Sequence, residues 1–463
     1  MNERNKQYRA AIYTLGCKVN QYESEAISEA LQQQGFQIVP FDEAAEVYII
    51  NTCTVTAESD RKACQMIRRA AAMEKTVGFS PAVIVTGCMA QTQPERAAAI
   101  SGVRYVCGSR NKLSCVEAAV RFVKQIHAGV ELPVTPEVAV FAPDASGMEE
   151  MTLQHTGLER TRAYIKIEDG CENRCTYCAI PGARGNVVSK RPETVLYELH
   201  RLYENGYREF VLTGIEIASY GIDFDAASGL QGYRLVDLLE AADASFADAP
   251  IRIRLGSLEP TYMKPETVRR MAALPHLTHH FHLSLQSGAD HVLHLMRRKY
   301  NMRMVREILA DIRASMPDVM FTTDIMTGFP QETEEDFAQT MAFAREARLL
   351  HIHVFPYSRR KNTVADTMPG QLSNEEKNRR ANALIALQRE IEEDIYREIA
   401  DAAVLAGGEV SFLAETFRDG VITGHTDNFL EVQVYSDASM TKELCRVAVT
   451  GADGLHLTGT LVQ

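Results

Sequence analysis

The chain has no surplus of positive charge: 49 Lys and Arg stand against 61 Asp and Glu, a formal net charge of −12. That excludes the strongly basic footprint of a general nucleic-acid binder, while leaving room for a local basic groove. No apolar run approaches the roughly 20 residues needed to cross a bilayer. The first ten residues, MNERNKQYRA, lack the apolar stretch of a secretory signal. No internal repeat or low-complexity segment stands out. Nor is the chain poor in apolar residues; they make up 46%, with 24% charged, which argues against extended disorder. A soluble, cytoplasmic protein is expected, and 463 residues suggest about three domains.

Cysteine is what the chain has in quantity. Nine of its ten cysteines fall within the first 178 residues. In a long cytosolic chain they read as thiols or metal ligands rather than a disulfide framework. Their setting comes from hydrophobic periodicity. Residues 11–15, 47–50 and 82–85 are short apolar runs predicted as buried strands; 23–33, 58–73 and 94–100 read as helices. This alternation implies a parallel sheet with helices on its faces. Prolines and glycines at 133, 136, 143 and 147 interrupt the pattern over 127–157, read as a linker or crossing arm. Six further strands are predicted at 163–167, 209–212, 251–255, 280–285, 320–326 and 351–355, each followed by a helix. Six such units form an incomplete version of the eight-unit barrel, whose chemistry sits at the carboxyl ends of the strands. Leu384, Leu387, Ile391, Ile395 and Ile399 make one apolar stripe on a last helix. Five short strands from about 410 to 461 predict a small β-barrel of OB type. The expected fold class is thus α/β, with domains at 1–126, 158–400 and 401–463.

The most specific signal is Cys171-Glu-Asn-Arg-Cys175-Thr-Tyr-Cys178, three thiols in a loop just after the first barrel strand. The spacing is too tight for separate disulfides and lacks the fourth ligand of a zinc knuckle. Iron–sulfur clusters are held by thiolates, and three on a four-iron cluster leave one iron open. An incomplete zinc site or incidental thiols are the bland alternative. A second set is spread out: Cys17, Cys53 and Cys88 each end one of the first three strands. Carboxyl ends of parallel strands line the ligand crevice, so the three should converge, with helix N-termini favouring an anionic centre there. The competing reading is three buried structural cysteines.

The C-x3-C-x2-C spacing resembles the signature of the radical S-adenosylmethionine (SAM) enzymes. Thr14-Leu-Gly-Cys17-Lys-Val-Asn20, Asn51-Thr-Cys53-Thr-Val-Thr and Thr86-Gly-Cys88-Met-Ala-Gln resemble the three N-terminal motifs of the methylthiotransferases. The likeness continues through residues 212–221, 254–260, 283–288 and 328–333, and the tail resembles the family's TRAM domain. Within the family, residues 14–25 look most like the branch acting on N6-threonylcarbamoyladenosine in tRNA. The resemblance implies methylthiolation at C2 of that adenosine, 3′ to the anticodon. It implies two [4Fe-4S] clusters, on Cys171/Cys175/Cys178 and on Cys17/Cys53/Cys88, with SAM as cosubstrate. A tRNA anticodon stem-loop, an electron donor such as flavodoxin or ferredoxin, and a sulfur source are the implied partners, with no membrane.

Candidate SAM contacts are Thr213, Gly214 and Glu216 after the second barrel strand, Ser284 and Gln286 at the fourth, Gly328 after the fifth, and Tyr177 between two ligands; an ordinary structural role is the alternative for each. Arg68, Arg69, Lys190 and Arg191, with the clusters 297–299 and 359–361, are candidate phosphate contacts. Histidines 279, 280, 282, 351 and 353 are read as a polar strand-end cluster rather than a metal site. The tail carries eight acidic and three basic residues from 403 onward, the wrong sign for an RNA-holding barrel; Phe417, Phe429 and Tyr435 remain for base stacking. Rival functions are the same chemistry on isopentenyladenosine tRNA or a ribosomal-protein aspartate, an iron–sulfur electron carrier or redox sensor, and a zinc-stabilised RNA-binding module.

Overall fold

A computed structural model describes residues 8–74, 79–145, 147–154 and 160–462. The first sheet has six parallel strands, in the order Phe36–Val39, Tyr8–Thr14, Val47–Thr52, Ala82–Gly87, Val103–Cys107 and Glu137–Ala139. Val47–Thr52 and Ala82–Gly87 are buried at every position, as befits central strands covered on both faces. One face packs Ile27, Leu31, Val116 and Phe122 against Ile49 and Ile84. The other packs Ala63 and Ile67 against Tyr48, Ile50 and Val85. Periodicity anticipates three of the six strands, Tyr8–Thr14, Val47–Thr52 and Ala82–Gly87. It misses Phe36–Val39, which is only four residues long, the inner strand Val103–Cys107, and Glu137–Ala139, a three-residue edge strand inside the expected linker. Of that linker, 146 and 155–157 lie outside the described residues.

The barrel strands are Arg162–Lys166, Glu209–Thr213, Arg252–Leu255, His280–Gln286, Met320–Thr327 and His351–Pro356, all parallel to their neighbours. Gly256 separates the third strand from a two-residue continuation, Ser257–Leu258, that pairs with the fourth. The helix Asn374–Ala406 buries Leu384, Leu387, Ile391 and Ile395, and its Tyr396 hydroxyl accepts from the Glu431 amide at 2.8 Å in the tail. The tail is a closed barrel of Glu409–Arg418, Val421–Thr426, Glu431–Tyr435, His456–Val462 and Leu444–Asp453.

Charge explains how the tail docks. The amino ends of the barrel strands are basic, and the tail brings acids to them. Arg162 pairs with Glu415. Arg252 donates to the His425 carbonyl at 3.1 Å, and the His279 amide donates to Asp427 at 3.0 Å. Phe429 fills the centre, its ring stacked 4.4 Å from His280 and 4.6 Å from His425, under the Arg254 guanidinium. Two expectations are thereby corrected. Part of the tail's acidity serves docking, and Phe429 is held in this stack rather than free for a base. Phe417 is also partly buried against the core, whereas Tyr435 is 83% exposed.

The ion pairs at this junction centre on Glu209, fully buried and bonded to Arg162 and Arg254 at 2.7 Å each. The Arg254 and Arg162 charges outweigh burial and pull its carboxyl from 4.5 down to about 2. A depressed carboxylate stabilises the fold fully above pH about 4.5, and that contribution disappears as pH falls toward 2. It amounts to about 3 kcal/mol. Glu209→Gln should flatten the acid limb of a denaturation series over that window; an unchanged limb would show that the carboxylate is not so bound.

Candidate functional site

Each N-terminal cysteine follows a strand, and two of the three open a helix. Cys17 caps the helix Lys18–Gln33, Cys53 follows Val47–Thr52, and Cys88 begins Cys88–Thr92 straight after its strand. The loops fit because of two glycines. Gly16 has φ +101°, and a Cβ there would lie 2.7 Å from Cys53 Cβ and 2.8 Å from its sulfur. Gly87 has φ +94° and would drive a Cβ into the Thr52 carbonyl. Only glycine allows both conformations and both approaches. The motif asparagines tie the loops together: Asn20 Nδ2 donates to the Leu15 and Thr52 carbonyls at 2.7 and 3.0 Å, and Asn51 Nδ2 to the Asn20 carbonyl at 2.9 Å.

The two triads are near enough to act on one another electrostatically: Cys53 is influenced by Cys88 and Cys17, and Cys178 by Cys175 and Cys88. Burial pushes the Cys53 and Cys178 thiols up to about 11 and Cys171 to about 12. Cys17 and Lys18 are both exposed to solvent at this turn.

The donor set discriminates between kinds of metal centre. Sulfurs around one zinc at about 2.3 Å would sit within about 4 Å of one another. Among the described residues, the set of three His, Cys, Asp or Glu donors lying mutually within 4.8 Å is His279, Asp318 and Asp427, at the junction with the tail. That set is a hydrogen-bonded clasp, with His279 Nδ1 and Asp318 2.6 Å apart. Neither cysteine triad is drawn together to within 4.8 Å. Backbone amides point at three of the sulfurs: Val55 to Cys53 at 3.5 Å, Asn173 to Cys171 at 3.4 Å and Ile180 to Cys178 at 3.5 Å. Such donors stabilise anionic sulfur, so both triads fit an iron–sulfur cluster.

Beside Cys175 the polar residues converge. Arg298 donates to the Cys175 sulfur at 3.4 Å and to the Ser284 carbonyl at 2.9 Å, and lies 4.0 Å from Glu259. Glu216 is buried next to Glu259, and burial with that neighbour's charge raises its carboxyl to about 7. Thr213 is buried at its strand end, and Gln286 holds φ 67°, a strained conformation that clusters at functional sites. Gly214 approaches Glu168, and Gly328 approaches Lys377 of the last helix. Tyr177 packs edge-on to Phe329 at 6.4 Å. The sequence assigns neither Glu259 nor Arg298 to this site: Glu259 sits inside the quoted 254–260 motif, and Arg298 belongs to the 297–299 cluster read as a candidate phosphate contact, whereas here it is internal.

Behind the triads lies a buried ionic hub. Glu23 accepts from Lys112, and from Lys166 and Arg184 at 2.7 Å each; Asp169 accepts from Lys166 at 2.6 Å and Arg184 at 3.0 Å. Two carboxylates thus face three cations. The surplus charge borders the cysteines, since Arg184 acts on both Cys17 and Cys88. Two candidate phosphate contacts are likewise internal: Lys190 is bound by Glu198 at 2.7 Å, and Arg360 by Asp60 at 2.9 Å and by Thr54, next to Cys53. Arg68, Arg69 and Arg191 remain exposed. Of the histidines, His280 and His282 share the Thr322 hydroxyl at 3.0 and 2.9 Å and His353 lies 5.7 Å from the His282 ring, whereas His279 and His351 bond Asp318 and Glu392.

A thiol triad at the carboxyl end of a six-stranded partial barrel defines the class, and residues 165–344 match the radical SAM superfamily. Residues 9–108 match a pattern described as uncharacterized protein family UPF0004. The threonylcarbamoyladenosine tRNA methylthiotransferase MtaB of Bacillus subtilis is 34% identical over 98% of this chain and 96% of its own. The tRNA-2-methylthio-N(6)-dimethylallyladenosine synthase of Moorella thermoacetica is 32% identical over 98% of each. The chain belongs to the radical SAM methylthiotransferase family, and is an enzyme using SAM and an iron–sulfur cluster. The radical SAM methyltransferase TsrM of Kitasatospora setae shares the fold with TM-score 0.54 at 15% identity, over 78% of this chain and 75% of that one. Among the described residues no helix is long and apolar enough to cross a membrane.

Proposed function

We propose that this enzyme methylthiolates C2 of N6-threonylcarbamoyladenosine 3′ to the anticodon of tRNA, giving 2-methylthio-N6-threonylcarbamoyladenosine. In this reading Cys171, Cys175 and Cys178 hold one [4Fe-4S] cluster, and Cys17, Cys53 and Cys88 hold a second. The observation that carries it is the proximity of the two triads, with Cys88 acting electrostatically both on Cys53 of its own triad and on Cys178 of the other. Relatives named for threonylcarbamoyladenosine in Bacillus subtilis, Thermotoga maritima and Aquifex aeolicus, at 34, 33 and 32% identity, support the substrate. When bound, the SAM-carrying cluster supplies the radical that an unactivated aromatic C–H bond requires, and the second supplies sulfur.

The chain's own residues do the rest. Arg298 fixes Cys175 and presents its charge beside Glu259, where Glu216, Thr213, Ser284 and Gln286 frame the space for SAM. Asn20 and Asn51 hold the Cys17 and Cys53 loops in register. Residues 1–126 thus supply the sulfur-bearing unit, 158–400 the SAM site and 401–463 the docked tail. An outside one-electron donor and a sulfur source complete the requirement.

Anaerobic reconstitution with SAM, and with threonylcarbamoylated or dimethylallylated anticodon stem-loops, tests this reading. Nucleoside mass spectrometry should find the methylthio product on the first; product on the second alone would overturn it. Gly16→Ala should lower the iron content by about half, because its Cβ displaces Cys53. Full iron content in that variant would remove Cys53 from the ligand set.

A further inference from the structure

Lys18 follows Cys17 directly, and its side chain runs into the barrel rather than outward. Its ammonium lies 5.9 Å from the centroid of Tyr164, midway along the first barrel strand. The charges that act on it are Arg162, Arg254, Asp324 and Glu209, and its own charge reaches His280 and His353. Both neighbouring carboxylates are otherwise engaged. Glu209 is shared by Arg162 and Arg254 at 2.7 Å each, and Asp324 is 3.3 Å from His282. Among the described residues, no carboxylate comes within 4.0 Å of the Lys18 ammonium, and no hydrogen-bond acceptor is bound to it. It is a solvent-exposed cation on a flexible stem, without an ion pair among the described residues, beside Tyr164 and one residue from a cysteine of the N-terminal triad.

A cation so placed is short of an anion that the protein does not supply. The base bound there must bring C2 to the triads, which leaves its N6 substituent to extend along the chamber wall. A threonylcarbamoyl group ends in a carboxylate; a dimethylallyl group is wholly apolar and would leave the ammonium dehydrated without a partner. We infer that Lys18 binds the carboxylate of the N6 side chain and selects threonylcarbamoyl-adenosine over its prenylated counterpart, an assignment that rests on the substrate reading above. Nearby Arg162 and Arg254 are held by Glu209 and Glu415, so Lys18 is the cation left to reach the ligand.

The test is equilibrium binding of anaerobically reconstituted full-length protein to three stem-loops that differ only in the adenosine: threonylcarbamoylated, dimethylallylated and unmodified. Wild type should prefer the first. In Lys18→Met, affinity for the threonylcarbamoylated stem-loop should fall about tenfold to a hundredfold, the loss of a charge-assisted hydrogen bond, while the unmodified one binds as before. Lys18→Arg should restore part of the preference, and iron content equal to wild type shows the variants folded. If Lys18→Met weakens all three alike, the ammonium holds a backbone phosphate and the inference falls. If the preference survives in Lys18→Met, the carboxylate is read elsewhere and only the Lys18 assignment is lost. Wild type that binds the three alike removes the threonylcarbamoyl reading itself, and the assignment with it.

Discussion

Alanine in place of Cys175 is expected to abolish formation of deoxyadenosine from SAM, whereas alanine in place of Cys17 should leave that reaction measurable and remove only the sulfur-bearing product. The difference follows from where the two thiols sit. Cys175 lies in the barrel loop and receives the Arg298 guanidinium, which also contacts the fourth strand through Ser284. Losing it removes one of three thiolates from that centre and uncouples Arg298 from the loop. Cys17 belongs to the other group, on a loop tied to Thr52 through Asn20. Its loss leaves Cys171, Cys175 and Cys178 untouched. Deoxyadenosine and methylthio-nucleoside, measured by mass spectrometry in the same anaerobic reaction, separate the roles. Normal deoxyadenosine output from Cys175→Ala would refute its place at the barrel centre; loss of both products from Cys17→Ala, with the barrel iron intact, would refute the division of labour.

Glu23→Gln is expected to cost about 3–5 kcal/mol of stability, the usual effect of breaking a fully buried ion-pair network from one side. Glu23 is 1% exposed and binds Lys112, Lys166 and Arg184 together. Without its charge, three buried cations would share Asp169 alone. Denaturant unfolding of the two proteins measures the difference, and a change below 1 kcal/mol would mean that the hub adds little to the fold. The pH dependence has a definite sign. Arg184, Lys112 and Lys166 hold the Glu23 carboxyl well below the ordinary 4.5, against the opposing effect of burial. Its contribution is therefore complete above pH about 4.5 and disappears only as acid reaches the lower folded value. Wild type should lose stability across that acid range more steeply than Glu23→Gln.

The parts of this architecture that are local in sequence are legible there. Cys17, Cys53 and Cys88 can be placed at strand ends because each follows a short apolar run, and parallel topology then forces them together. Cys171, Cys175 and Cys178 need only their spacing. The hub is illegible for the opposite reason. Glu23 meets Lys112 across 89 positions and Arg184 across 161, and each alone looks like a helix-surface charge. Lys190 and Arg360 read as phosphate contacts until Glu198 and Asp60 are seen beside them. Phe429 looks like a base-stacking ring because nothing local announces that His280, 149 positions earlier by number, stacks on it. Pairing across domains hides a residue's role from any reading of its neighbours.

Phe429 also decides how traffic through the enzyme must run. With the tail's ring and acids packed over the amino ends of the barrel strands, the carboxyl ends, where the cysteine loops lie, are the side left open to a substrate. A nucleotide entering there has to swing out of its loop's stack, and must back out by the same door once altered. Exit of the finished nucleotide then becomes a step that every round must complete before another can start.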